Sequence, residues 1–389
     1  MPTAALGRAR IATSGAFAAQ GLLFTVLLTH LPQFKDRFGV SDGTVTLIVV
    51  MVTLIASLGS LASEALAARV SSWFALRLAL VLAALSATAI GLAGELVLFV
   101  AAFAVYGVAL GGVDAASNMQ GVAVQHRYGR SVINSFHAAW SAAAIVGALY
   151  VAASEHLDLE LGLSVGLAAL VVLGLTIWPG NWLLPGATGP QESTAESDLP
   201  GFLSRGPLLL LGLAMAAYWA VDSGTSSWGA IYLTDVLHSS TSVAPLAYGA
   251  YQALALVSRL FGDSVVQRFG AARTIRGGAL IGVAGTLLLV LAPGPALAIT
   301  GFALAGLGLA VVPPLCFAAA SARARSRLQS DQLVARLNVF NYLGALLGGA
   351  LVGAVGSGLG LRTGFFLTVL LAASMLLLAR AFTTRPAAA

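Results

Sequence analysis

The sequence predicts an all-α membrane protein of twelve transmembrane helices, built as two pseudo-symmetric six-helix bundles. Composition is the first ground for this. Of 389 residues, 58% are hydrophobic and only 9% charged, with a mean hydropathy of +0.91, whereas soluble domains carry about 25% charged residues. The second ground is the length and period of the apolar runs. Lipid offers no water to backbone N–H and C=O groups, so a span must be a helix or a closed-barrel strand. These runs exceed about 18 residues and do not alternate with period two, which selects helices. The third is a repeat of charged and glycine positions between the two halves, at an offset of 199 residues.

The first six apolar segments fall at 11–31, 44–66, 74–93, 96–122, 132–152 and 162–184. The second six fall at 206–233, 243–266, 275–292, 296–319, 333–357 and 363–383. A hydrocarbon core of about 30 Å needs about 20 helical residues, which these segments supply with some tilt. Arg8 and Arg10 precede the first segment as in a signal peptide. Gln20 interrupts it, however, and no small-x-small cleavage site precedes Pro32, so it reads as an uncleaved helix. The one cysteine, Cys316, lies inside the tenth segment, which leaves no disulfide framework and no cysteine metal site.

The polar stretch around residues 185–205 is rich in Pro, Gly, Ser and acidic residues and reads as a cytoplasmic linker. It divides the chain into an N-terminal bundle, 1–184, and a C-terminal bundle, 206–389. Basic residues orient the spans. With the N-terminus inside, seventeen of the twenty fall in cytoplasmic segments, among them Arg69, Arg127, Arg205, Arg259, Arg268, Arg336 and Arg385. Only Lys35, Arg37 and Arg362 fall outside. Both termini are therefore expected in the cytoplasm of a bacterial cell, with the protein in its inner membrane. The net charge of +5 is scattered through short loops and marks topology rather than nucleic-acid binding. Across the repeat, Glu64 and Arg69 fall on Asp263 and Arg268, and Gly107 and Leu110 on Gly306 and Leu309. Such internal symmetry is the trace of duplicated carrier halves.

The residues between segments eight and nine, Gly262, Asp263, Arg268, Phe269, Gly270 and Arg273, resemble the loop signature of the major facilitator superfamily. The first-half copy, Gly59, Leu61, Glu64 and Arg69, departs from it at Ser71, where glycine is usual. The stretch 107–141 resembles the fucose-permease-related branch, especially its YbjJ-like group. It carries Asp114, Asn118 four residues later, and then Ser135, Phe136 and His137. Asp222 with Trp228 in segment seven, and the run from Gly306 in segment ten, fit the same branch. The resemblance covers the whole chain. It implies the major facilitator fold and a secondary carrier, and it does not specify the solute. Segment five lacks the glycine-proline antiporter motif of many drug exporters.

An ionisable group at mid-bilayer costs a few kcal/mol and is a functional candidate by default. Asp114 lies 13 residues before Arg127, about 20 Å along a helix, and shares a face with Gly107, Gly111, Asn118 and Gly121. Burial pushes a carboxylate toward neutrality, so Asp114 is the expected proton carrier, with His137 as a partner. In the repeat Asp114 falls on Pro313, so the second half has no acid there. Asp222 makes a stripe with Tyr218 and Ser226, beside Trp219, and segment eight adds Tyr248, Tyr251 and Gln252. A carboxylate among aromatics suits hydroxylated or amine-bearing solutes. These residues, with Asn118, Trp140, Asn341 and Gln20, are the expected solute contacts. Buried packing and helix–helix hydrogen bonding compete with that reading at each position. Glu64, Arg69, Asp263 and Arg268 sit at helix ends, where charges suit a cytoplasmic gate.

No HExxH or GxxxxGK[ST] motif is present, and the one GxSxG string, Gly162–Gly166, lies in an apolar segment of helical length and not at a strand-to-helix turn, so no enzyme activity, metal or nucleotide cofactor is expected. Transport would draw on the proton gradient. The expectation is a monomeric, proton-coupled carrier of a small molecule within the lipid bilayer, working by alternating access. Symport of a sugar-like or polar solute is favoured by the branch resemblance. Antiport of a drug or metabolite is the alternative, and a non-transporting membrane sensor is the alternative from another class.

Overall fold

The computed structural model describes residues 3–40, 42–185, 206–239, 243 and 246–383. The expected linker, apart from Pro185, lies outside them, as do Arg205 and Arg385. The described residues are helical and contain no strand. The first half comprises α1 (Thr3–Thr29), α2 (Leu31–Phe38), α3 (Asp42–Arg69), α4 (Ser72–Leu92), α5 (Leu96–Tyr128), α6 (Ile133–His156) and α7 (Leu161–Ile177). The second comprises α8 (Gly206–Ile231), α9 (Leu246–Phe269), α10 (Ala271–Leu291), α11 (Pro295–Leu309), α12 (Val312–Ser321), α13 (Arg327–Leu359) and α14 (Leu361–Leu378). Every apolar segment corresponds to one of these helices, with α11 and α12 sharing the tenth. Among the described residues, ten helical stretches are long and apolar enough to cross a membrane; α6 and α9 correspond to the fifth and eighth apolar segments and complete the twelve. The chain is a multi-pass membrane protein.

Two features depart from simple spans. The tenth segment breaks at Ala310 and Val311 because Pro313 and Pro314 follow. Neither proline has an N–H to give back to the preceding turn, and each ring clashes with the carbonyl four residues earlier. In the first turn of α12 the missing donors cost nothing, so the helix restarts there. The short α2 is the other, closed by Gly39 in the left-handed conformation at φ 60°.

The helices are not amphipathic in the soluble sense, because lipid tails are as apolar as a protein core. Leu47, Leu58, Leu149, Leu170 and Leu377 are all more than 60% exposed, which suits a surface facing acyl chains and not water. Small residues bring the helices together. Between α3 and α5, a Cβ on Gly111 would run into the Ala56 carbonyl, and one on Gly59 into that of Val108. Glycine at these crossings lets the two backbones touch.

The structure divides into two compact units. The first contains Met1–Val132, Phe136–Ala195 and Ala324–Asn338, and the second Ile133–Ser135, Glu196–Arg323 and Val339–Ala389. Relative to a division at 185–205, the first three residues of α6 thus group with the second unit. The start of α13, with the residues just before it, groups with the first. In the first unit α5 packs on α3 and α4, and α4 on α7. In the second, α11 packs on α9 and α10, and α14 on α10 and α8.

Candidate functional site

In the first unit the polar groups gather around Asp114 on α5. Three- and four-residue spacing puts Gly107, Gly111, Asp114, Asn118 and Gly121 along one side of the helix. Gly107 and Gly111 are occupied by α3, and Gly121 by the Phe136 ring. Asp114, half-buried between them, accepts a hydrogen bond from the Gln20 amide of α1. The Asn118 amide donates to the Asp114 backbone carbonyl at 2.9 Å. Its side-chain oxygen faces His137 Nε2 at 3.2 Å; because that oxygen only accepts, the imidazole nitrogen donates. The His137 ring lies against Phe17 at 5.0 Å. Asn118 therefore stands between His137 and Asp114. Behind Gln20 a small cavity is lined by Leu23, Leu80, Tyr106, Val113 and Val172. Trp140 is half-buried and meets Phe24 of α1 at 6.1 Å, so it packs in this unit.

The second unit holds a separate cluster. Tyr218, Trp219 and Asp222 lie on α8, while Tyr248, Tyr251, Gln252 and Arg259 lie on α9. Asp222 is 6% exposed, Tyr218 and Tyr251 are fully buried, and Arg259 is 5% exposed. Tyr248 Oη donates to Asp222 Oδ2 at 3.5 Å, and Gln252 Nε2 donates to the Tyr248 hydroxyl. Arg259 Nη2 donates to Tyr218 Oη at 2.9 Å. The Tyr248 and Tyr251 rings stack at 6.0 Å, 12° from parallel, and Trp219 meets Tyr218 edge-on at 5.3 Å. Tyr251 Oη lies close to Asp222 and Tyr218, yet neither it nor the buried Trp219 Nε1 completes a well-formed hydrogen bond among the described residues. Buried polar atoms left this way are uncommon and call for a water or a ligand. Asn341, on α13, groups with this unit and is 8% exposed.

The helix-end residues meet partners other than their own motif arginines. In the first unit Glu64 pairs with Arg336 of α13 at 3.5 Å, while Arg69 is exposed. In the second, Asp263 Oδ1 accepts from the Asn134 backbone N–H at 3.2 Å and from its amide at 2.9 Å. Its Oδ2 accepts from the Ser135 N–H at 3.0 Å, so Asp263 caps the start of α6. Arg268 is exposed and lies over the Phe269 ring at 5.3 Å. Gly270, at φ 80°, needs its missing side chain. Ser71, in the matching place, is extended and caps α4 by accepting from the Phe74 N–H at 3.1 Å. Serine therefore serves there where glycine is usual.

Arg259 is the member of this cluster that sequence reasoning missed. Counted among the cytoplasmic arginines, it lies inside α9, ten residues before the helix end. Its signal was present: it follows Gln252 by seven residues and Tyr251 by eight, which returns it to their face. Among the described residues no group of His, Cys, Asp and Glu is arranged to hold a metal ion.

Comparisons with known proteins agree with this architecture. The family model of the major facilitator superfamily matches residues 211–389. The chain is 31% identical over 373 residues to the uncharacterised transporter y4wD of Sinorhizobium fredii, covering 93% of this chain and 95% of that protein. It is 26% identical over 375 residues to an uncharacterised transporter of the same superfamily from Yersinia pestis, covering 96% of each. The solved structure of the E. coli fucose:proton symporter FucP superposes with a TM-score of 0.79 over 96% of this chain and 98% of that one. At 16% identity the likeness is one of fold. From the family-model match, the full-length match to y4wD and the full-length match to the superfamily transporter of Yersinia pestis, the chain belongs to the major facilitator superfamily of membrane transporters.

Proposed function

We propose that this transporter takes up a sugar-like or other hydroxyl-rich solute by proton symport. It would sit in a bacterial inner membrane with both termini in the cytoplasm and work as a monomer by alternating access. The observation that carries the proposal is the second-unit cluster, where Asp222 is surrounded by Tyr218, Tyr248, Tyr251, Gln252 and Trp219. A sugar hydroxyl both donates and accepts, and this cluster offers both. The carboxylate and the Gln252 oxygen accept, while the Trp219 N–H has a donor to spare. The aromatic rings add apolar faces for a pyranose to stack against.

Proton coupling is assigned to Asp114. A carboxylate held by the amides of Gln20 and, through its backbone, Asn118 can lose its charge without breaking an ion pair with either. His137 is placed to sense Asn118 and through it the turn that carries Asp114. Glu64 with Arg336, and Asp263 with the start of α6, are the proposed gate contacts; Arg69 and Arg268 have secondary roles at those ends. The proposal needs no cofactor beyond the proton gradient.

The test is reconstitution into liposomes containing a pH dye, challenged with sugars, organic amines and antibiotics. Symport predicts that one class of hydroxylated solute acidifies the lumen as it enters. Amines or antibiotics driving protons the other way, with every sugar silent, would overturn the proposal in favour of export by antiport.

A further inference from the structure

We propose that Arg259 is the specificity-determining residue of the second-unit cluster, keeping it open to uncharged hydroxyl-rich solutes and closed to organic cations. The inference rests on reading that cluster as the solute site. Arg259 is 5% exposed in the interior of an apolar helix. An isolated guanidinium in that position would be strongly disfavoured. It is retained against two particular neighbours. One is the Tyr218 hydroxyl, which it holds at 2.9 Å; the other is the buried Asp222 carboxylate, which follows Tyr218 by four residues on the same face of α8.

Two consequences follow for a ligand. By donating to Tyr218 Oη, the guanidinium fills an acceptor position of the phenol and leaves the Tyr218 O–H to donate elsewhere. By supplying a positive charge beside Asp222, it balances the carboxylate. An uncharged polyol entering such a site completes hydrogen bonds without disturbing that balance. A monovalent organic cation would add an excess positive charge to a buried, low-dielectric space, where like charges repel over several ångströms. Without Arg259 the same aromatic cluster around a lone carboxylate would be a cation site, since aromatic faces and a carboxylate both attract cations. One arginine thus separates two chemistries that the α8 residues alone would permit.

The alternative is that Arg259 only ties α9 to α8. Loss of stability cannot distinguish the two, because removing one member of a buried charged pair destabilises in either case. Ligand selectivity can. We would measure binding of tetraphenylphosphonium to wild type, Arg259→Gln, Arg259→Lys and the double variant Asp222→Asn/Arg259→Gln in lipid nanodiscs, alongside tryptophan fluorescence with a panel of hexoses and deoxyhexoses. Arg259→Gln should bind the cation at least tenfold more tightly than wild type. Arg259→Lys should behave as wild type, and the double variant should lose the gain. Should Arg259→Gln fail to fold, Asp222→Asn provides the mirror test, because it leaves the guanidinium unbalanced and should acquire binding of benzenesulfonate. Folded single variants with no change in selectivity toward either ion would overturn the proposal, as would a wild-type protein that already binds either. A wild type silent to every sugar, combined with the predicted gain in Arg259→Gln, would instead sink the sugar reading and leave the charge-setting role standing.

Discussion

Asp114 and Asp222 are both carboxylates on helices that cross the membrane, and their neighbours differ. Asp114 accepts from an amide, Gln20, and its helix turn is tied through Asn118 to His137. Asp222 sits with a buried arginine among phenols. Asp114→Asn should therefore abolish proton-driven accumulation while the protein still folds, since an amide can occupy the same site without the cost of a buried charge. Exchange of solute across liposomes without a gradient should persist, because exchange does not require the proton to leave. Unchanged gradient-driven uptake in this variant, measured with the pH dye, would remove Asp114 from the coupling role. Most of these residues were legible in the sequence, because polar groups in apolar runs stand out and helical spacing groups those on one helix. Their pairing was not. Gln20 and Asp114 are 94 residues apart, and no local pattern connects them. Arg259 was obscured for a different reason: a rule that counts arginines to orient spans assigns each one to a loop.

The helices show the same division between what a local pattern reveals and what packing adds. Hydropathy located all twelve spans, and the Pro313–Pro314 pair carried the information that the tenth is broken. Within an unbroken apolar run of span length, however, that information was outweighed. The caps were less visible still, because an N-terminal cap usually comes from the helix's own first residues. Here α6 takes its cap from Asp263 of α9. Asp263→Ala should expose the first N–H groups of α6 and cost about 1 kcal/mol, as the loss of a cap does, read as a lower thermal midpoint in detergent. Asp263→Asn, which retains an acceptor, should lose less. If the cap is also a gate contact, cysteines placed along the first turn of α6 should become more reactive toward a cytoplasmic reagent in Asp263→Ala. A wild-type labelling pattern with wild-type turnover would restrict Asp263 to stabilising α6.

For the molecule as a whole, the excess of arginine in the proposed cytoplasmic segments predicts topology. Reporters fused at either terminus should both be active only in the cytoplasm; opposite locations would contradict an even number of spans with the N-terminus inside. The composition of the two units has a further consequence, in time. The first unit is not complete in the first half of the chain. Glu64 waits for Arg336, the Ser60 hydroxyl waits for the Ala335 carbonyl at 3.0 Å, and the Pro185 carbonyl waits for Arg327 at 3.0 Å. At a synthesis rate of about 5–20 residues per second, the ribosome needs on the order of 10 s to travel from the end of α7 to these partners. During that interval the first six spans are inserted but lack part of their own fold, so the bundle closes only when nearly the whole protein has been made. Synthesis order thus makes the start of α13 a late-arriving component of the first unit, and a chain truncated before Arg327 would leave Glu64, Ser60 and Pro185 without these partners.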